Sequence, residues 1–183
     1  MCTVTFIPSG DKLYITSNRD EKHWRSSAFP PALYPFQSGI LLFPKDGDAG
    51  GTWIAAHENG NAIVFLNGGF VCHQPTPPYR KSRGLVLLDL LDSANPVLSF
   101  SLWNLQQIEP FTAVIWNREQ LFECRWDSAK KHGPLCVVEE RNYLTDTWNR
   151  AVFLHGGRAR LRAQRERHLL ADISSVAGSP HLV

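Results

Sequence analysis

At 183 residues, with 43% hydrophobic and 20% charged side chains, the chain has the length of one domain and the composition of a globular rather than a disordered protein. A net charge of +2 sets up no general attraction to nucleic acid or acidic membranes, so neither is an expected partner. No apolar run nears the roughly 18 residues of a bilayer span, and no basic flank precedes an apolar stretch at the start. The expectation is a cytoplasmic protein without a membrane span. Oligomeric state is left open.

TVTFIP and KLYITS alternate apolar and polar residues around SGD, which predicts a β-hairpin. Residues 24–44 are rich in Pro and aromatics, and FPPALYPF is barred from a helix or a central strand. ILLF predicts a short strand and KDGDAGG a loop. TWIAA and NAIVFLN flank HENG as a second hairpin, and GGFVCHQPTPPYR follows as an irregular loop. In SRGLVLLDLLDS, Leu87, Leu90 and Leu91 fall at helical spacing, and Asn95-Pro96 closes that helix. VLSFSLWNLQQI predicts a second short helix. FTAVIWN and QLFECRW form a third hairpin, turning at Arg118-Glu119. From Tyr143 on, WNRAVFLHGGRARLRAQRERHLLADI predicts a basic helix with Arg158, Arg160, Arg162, Arg165 and Arg167 crowded together. That run reads first as a solvated helix face. An anion or nucleic-acid patch is the alternative, weakened because no aromatics interleave with the arginines. Strand runs and helix runs are segregated, which predicts an α+β domain with mainly antiparallel sheet over residues 1–183.

The four cysteines, Cys2, Cys72, Cys124 and Cys136, match no zinc spacing. Cys124 sits in an alternating stretch and reads as a packed small hydrophobe. Cys72 and His73 are adjacent, and neighbours on a strand point to opposite faces, so no metal site is expected.

Cys2 is the residue that raises the question of chemistry. Removal of Met1 would give it a free α-amine, of pKa about 7.7–8.0, beside a thiol of pKa about 8.5. Nucleophile and general base would then belong to one residue. On position alone an incidental small residue is the simpler reading, because chain starts are tolerant. SNRDE (residues 17–21) ends the second strand of the first hairpin and so returns toward the chain start. There Asp20 would hold a protonated amine and Arg19 would polarise a thiol or bind an anionic group. A solvated loop with one salt bridge is the bland alternative. In FLNGGF, Asn67 ends an apolar strand before two glycines, where a side-chain amide can donate to a developing oxyanion. An ordinary Asn-Gly turn explains the same residues. GGTW (residues 50–53) brings a bulky aromatic into a loop-to-strand entry.

The start MCTV, SNRDE, GGTW and FLNGG, in this order, resemble the NRDE family, also called the transport and Golgi organisation protein 2 family. The resemblance covers roughly residues 1–125. It implies an N-terminal-nucleophile (Ntn) hydrolase-like fold, two stacked antiparallel sheets between helical layers, αββα. Ntn relatives of the choloylglycine hydrolase and penicillin V acylase group start with a catalytic cysteine, which Cys2 matches. Asp20 matches their aspartate and Asn67 their oxyanion-hole asparagine. Their strand arginine is not matched: Ser17 stands in its place, and Arg19 lies two residues later on the same face. A later asparagine has no clean counterpart, Asp146 being the nearest candidate. The Arg-rich end and GSPHLV also depart from the family, whose members finish with further strands.

The resemblance therefore implies an amidohydrolase acting on a C–N amide bond of a partly hydrophobic small molecule. Cys2, Asp20, Arg19 and Asn67 would be catalytic, and Asn18, Trp53 and Phe70 would contact substrate. The aromatic loops Phe29 to Phe36 and Phe70 to Tyr79 would line its mouth. No cofactor or metal is expected for that chemistry. The rival is a non-catalytic lipid- or haem-related binding or carrier protein on the same fold, with Cys2, His23, His57 or His73 toward a haem. An inactive remnant is the third reading.

Overall fold

Alternation builds most of the molecule. The computed structural model describes residues 3–9, 12–18, 25–70, 73–118, 120–139 and 152–155. In chain order the elements are β1 (Thr3–Ser9), β2 (Lys12–Asn18), β3 (Phe29–Pro35), β4 (Ile40–Lys45), β5 (Ile54–His57) and β6 (Ala62–Asn67). Then come α1 (Arg83–Leu91), α2 (Pro96–Leu102), β7 (Phe111–Trp116), β8 (Gln120–Trp126), β9 (Lys131–Glu139) and β10 (Val152–His155). Seven strands form one sheet in the order β3-β4-β5-β6-β7-β8-β9, and three form a second, β10-β1-β2. Every pairing is antiparallel. With two helices beside them, the described residues make an α+β protein.

The period-two rule sorts β6 into two faces. Ile63 and Phe65 join a core with Leu87, Leu90, Leu91, Phe100 and Phe111, so this face meets the helices. Val64 and Leu66 join Val4, Phe6, Val114 and Leu121, so the other face meets β1. A strand buried on both sides reads as a continuous apolar run, as AIVFL does. Each such Leu, Ile or Phe contributes about 1.5–3 kcal/mol by leaving water.

Local signals start and stop the helices. The Ser82 side chain accepts from the Leu85 N–H to cap α1, and Asn95 accepts from Leu98 to cap α2. Asn95 and Pro96 thus open α2 as cap and first turn, rather than closing α1, which ends at Leu91. The second helix also stops earlier than its sequence suggests, at Leu102, because Trp103 turns to an extended conformation. GGTW has a packing role at its second glycine. A Cβ on Gly51 would stand 2.5 Å from the carbonyl carbon of Gly84 in α1, so only glycine allows the loop to touch the helix there.

Three segments differ from the sequence reading. KHGPLCVVE forms β9, which its period does not announce, because Gly133 (φ +92°) and Pro134 interrupt the alternation and the register shifts opposite β8. Val152–His155 is a strand paired with β1, not part of a basic helix. VFLH is an apolar run too short for its period to separate strand from helix, and pairing with β1 decides the case. The remainder of residues 143–183, with Asp146 and the arginine run, lies outside the described residues. Finally, Phe29–Pro35 is not a loop beside the candidate site but edge strand β3, three strands from β6. The edge position suits its prolines, which have no N–H to give a second neighbour.

Candidate functional site

The hairpin of β1 and β2 is open at the end where the chain starts. Thr3 pairs with Asn18, and Val4 with Ser17. Val4 and Phe6 are buried toward the large sheet, and Thr5 and Thr16 share a hydroxyl hydrogen bond on the other face. Ser17, on the face of Val4, has a buried hydroxyl with no partner among the described residues. Asn18 is exposed. Cys2, Arg19, Asp20 and His23 lie outside the described residues.

Phe6 packs against Trp116, with ring centroids 5.5 Å apart, and Trp116 pairs with Ala62 at the start of β6. The start of β1 therefore faces the other end of β6, where Asn67 is. Asn67 is exposed at that rim and pairs with Phe111. The pairing puts Asn67 on the helix side of the sheet, because Phe111 belongs to the helix-side core. Trp53 reaches the same end, half-buried, its carbonyl accepting from the Phe65 N–H at 2.8 Å.

Beyond Asn67 the chain is fastened from below. Gly68 adopts φ +84° and donates to the Pro110 carbonyl at 3.0 Å. The buried Thr112 hydroxyl donates to the Gly68 carbonyl at 2.9 Å and lies 3.3 Å from that of Gly69. Buried Arg125 donates from Nη1 to the Gly69 carbonyl and from Nε to Glu123 Oε1, the latter at 2.6 Å. Thr112 and Arg125 are cross-strand partners, as are Val114 and Glu123, so all stand on the face toward β1. Phe70, which is partly exposed, lies over Arg125, its ring centroid 4.8 Å from the guanidinium carbon. The His132 ring meets Phe70 edge-on at 4.7 Å.

Glu123 is 8% exposed, and its second carboxylate oxygen, Oε2, has no hydrogen-bond partner among the described residues. Two unpartnered buried oxygens, those of Ser17 and Glu123, thus occur on the facing sides of the two sheets. Buried polar atoms are usually satisfied, so both stand out.

His132 Nε2 is 2.6 Å from Asp127 Oδ2. Partial burial works against ionisation of Asp127, but the His132 bond and the N–H groups of Lys130 and Ala129 hold its carboxyl down at about 2. Burial first, then the charge of Glu123, pushes the Cys124 thiol up to about 12, as expected of a packed and inert cysteine.

His57 and His73 are held by hydrogen bonds within the fold. His57 Nδ1 accepts from the Asn59 N–H, so Nε2 carries the proton shared with the Ser38 hydroxyl, which donates to Asp92. Neither ring nitrogen of His57 has a lone pair free for a metal. His73 Nε2 is 3.0 Å from Glu109, which also binds Arg83. Among the described residues no group of three or more His, Cys, Asp or Glu could hold a metal ion. No described helix is long and apolar enough to cross a membrane.

Sequence reasoning missed Thr112, Glu123 and Arg125. A signal existed: in QLFECRW two charged residues alternate around a buried cysteine, on a strand whose other members are mostly apolar. The family model described as Transport and Golgi organisation 2 matches residues 1–156, and none of the curated proteins matches. The chain belongs to the Transport and Golgi organisation 2 family.

Proposed function

We propose that this member of the Transport and Golgi organisation 2 family is an N-terminal-nucleophile cysteine amidohydrolase on an αββα fold, acting on the amide bond of a partly hydrophobic small molecule. One observation carries the reading. Thr3, bonded to Cys2, is the cross-strand partner of Asn18, bonded to Arg19. Cross-strand Cα atoms are about 5 Å apart and consecutive ones about 3.8 Å. Connectivity alone therefore keeps the Cα atoms of Cys2 and Arg19 within about 13 Å, and Asp20 within one more step.

In this mechanism the Cys2 thiol gives its proton to the α-amine freed by loss of Met1, and the sulfur attacks the amide carbonyl. The amine then protonates the leaving nitrogen, and water hydrolyses the thioester. Asp20 holds the ammonium, and Arg19 favours thiolate. Two donors at the β6 rim are offered to the oxyanion: the Asn67 amide and the Gly69 backbone N–H, which has no hydrogen-bond partner among the described residues. Asn18, Trp53 and Phe70 border the same end and would receive the substrate. A haem-binding reading loses support from His57, whose ring nitrogens are both engaged.

The test is acyl transfer from a set of p-nitroanilides with hydrophobic acyl groups, read as p-nitroaniline release and as acyl mass on the tryptic N-terminal peptide. The expected label is on Cys2. Asn67→Ala is expected to slow its formation about 10²–10³-fold, the usual cost of losing one oxyanion donor. Acylation of another cysteine, no acylation by any member of the set, or an unchanged rate in Asn67→Ala would overturn the proposal.

A further inference from the structure

On the helix side, at the β3 edge of the large sheet, the aromatic residues of β3 and β4 leave a groove. One compartment of about 280 Å³ lies between Tyr34, Phe36 and Phe43 and the α1 residues Leu85 and Leu88. A neighbouring one of about 520 Å³ runs along Phe29, Pro31 and Ala32. Tyr34 and Lys45 line both. Register explains the arrangement: Phe29 pairs with Lys45 and Ala32 with Phe43, so these side chains share the face that α1 only partly covers.

The groove has its own chemistry. Tyr34 stacks on Phe43 at 4.3 Å and 25°, and Phe36 meets Phe43 edge-on at 6.1 Å. Lys45 is half-buried, and no hydrogen bond or ion pair engages its ammonium among the described residues. The carboxylate at the far rim, Asp89, is already held by Lys81. An unpaired cation therefore stands at the junction of two apolar compartments.

We propose that this groove binds a small aromatic monocarboxylate, its ring among Tyr34, Phe36 and Phe43 and its carboxylate on Lys45 Nζ. The smaller compartment, at about 280 Å³, falls just below the usual range of small-molecule sites, which favours a one- or two-ring body. A third ring extends the stacked and edge-on contacts already present. Lys45 supplies a charge-assisted hydrogen bond that an uncharged analogue cannot use. The groove is on the opposite face of the sheet from β1, so the inference stands apart from the hydrolase reading.

The experiment is a ¹H–¹⁵N titration of the full chain with 1-naphthylacetate, 1-naphthylacetamide and 1-naphthylmethylammonium. The acetate is expected to saturate with shifts at Phe43, Lys45 and Leu85. The amide should bind about tenfold more weakly and the ammonium not measurably. Lys45→Met should cost the acetate about tenfold and leave the amide unchanged, which separates charge recognition from misfolding. Leu85→Trp, which fills the smaller compartment, should abolish both. Equal binding of the three probes, no saturable shifts at these residues, or an acetate affinity indifferent to Lys45→Met would overturn the proposal.

Discussion

Replacing Arg125 by Ala is expected to lower the unfolding free energy by about 3–5 kcal/mol, the usual cost of stranding a buried charge. Arg125 and Glu123 are 4% and 8% exposed, and Nε of the guanidinium is 2.6 Å from Oε1. Glu123 Oε2 already lacks a partner, so the guanidinium is the carboxylate's only compensation among the described residues. Its loss also removes one of two donors to the Gly69 carbonyl and uncovers the face of Phe70. The pair is not expected to be a large net source of stability, because desolvating both ions offsets their attraction. Arg125→Met with Glu123→Met should therefore recover most of the loss. Urea unfolding of the two single variants and the double variant checks this. A loss below about 1 kcal/mol for Arg125→Ala would mean that water reaches the pair.

Phe111→Ala is expected to cost a similar amount, about 3–5 kcal/mol, by a different route. Phe111 is fully buried, stacks on Phe65 at 4.4 Å and takes the edge of Phe100 at 6.2 Å. Truncation leaves a cavity where the helices meet the sheet, and the transfer energy of the removed ring is lost as well. Phe111 is also the cross-strand partner of Asn67, so the same change loosens the end of β6. Phe111→Leu keeps much of the volume and should cost less than half as much. Unfolding midpoints together with backbone amide exchange at residues 65–68 measure both effects. A destabilised variant with unchanged exchange there would separate the core from the rim.

How far the sequence reaches can be judged element by element. Hairpins β1–β2, β5–β6 and β7–β8 are legible because each has period-two apolar residues around a short polar turn. α1 is legible from Leu87, Leu90 and Leu91. Sheet order is not, since nothing local says that β6 pairs with β7 across two helices. Val152–His155 is settled by pairing with β1, about 150 residues away in the chain, which no local pattern encodes. At the site, Asn67 was legible by type and by position at a strand end. Its face was not, because the face depends on a register fixed by Phe111. Thr112 and Arg125 act on Gly68 and Gly69 through contacts more than forty residues distant in sequence, so only the fold brings them together.

The central claim is that Cys2 is an activated nucleophile carrying a free α-amine. The direct measurement is the intact mass of the purified chain, followed by a brief limiting iodoacetamide pulse across pH 5 to 9 with the labelled cysteine mapped. Cys124 serves as the internal reference, since a buried thiol with its pKa pushed up to about 12 should stay unlabelled until the chain unfolds. The account predicts loss of Met1 and labelling of Cys2 ahead of every other cysteine, already fast below pH 7. Retention of Met1, or Cys2 labelling no faster than an ordinary exposed thiol, would contradict it.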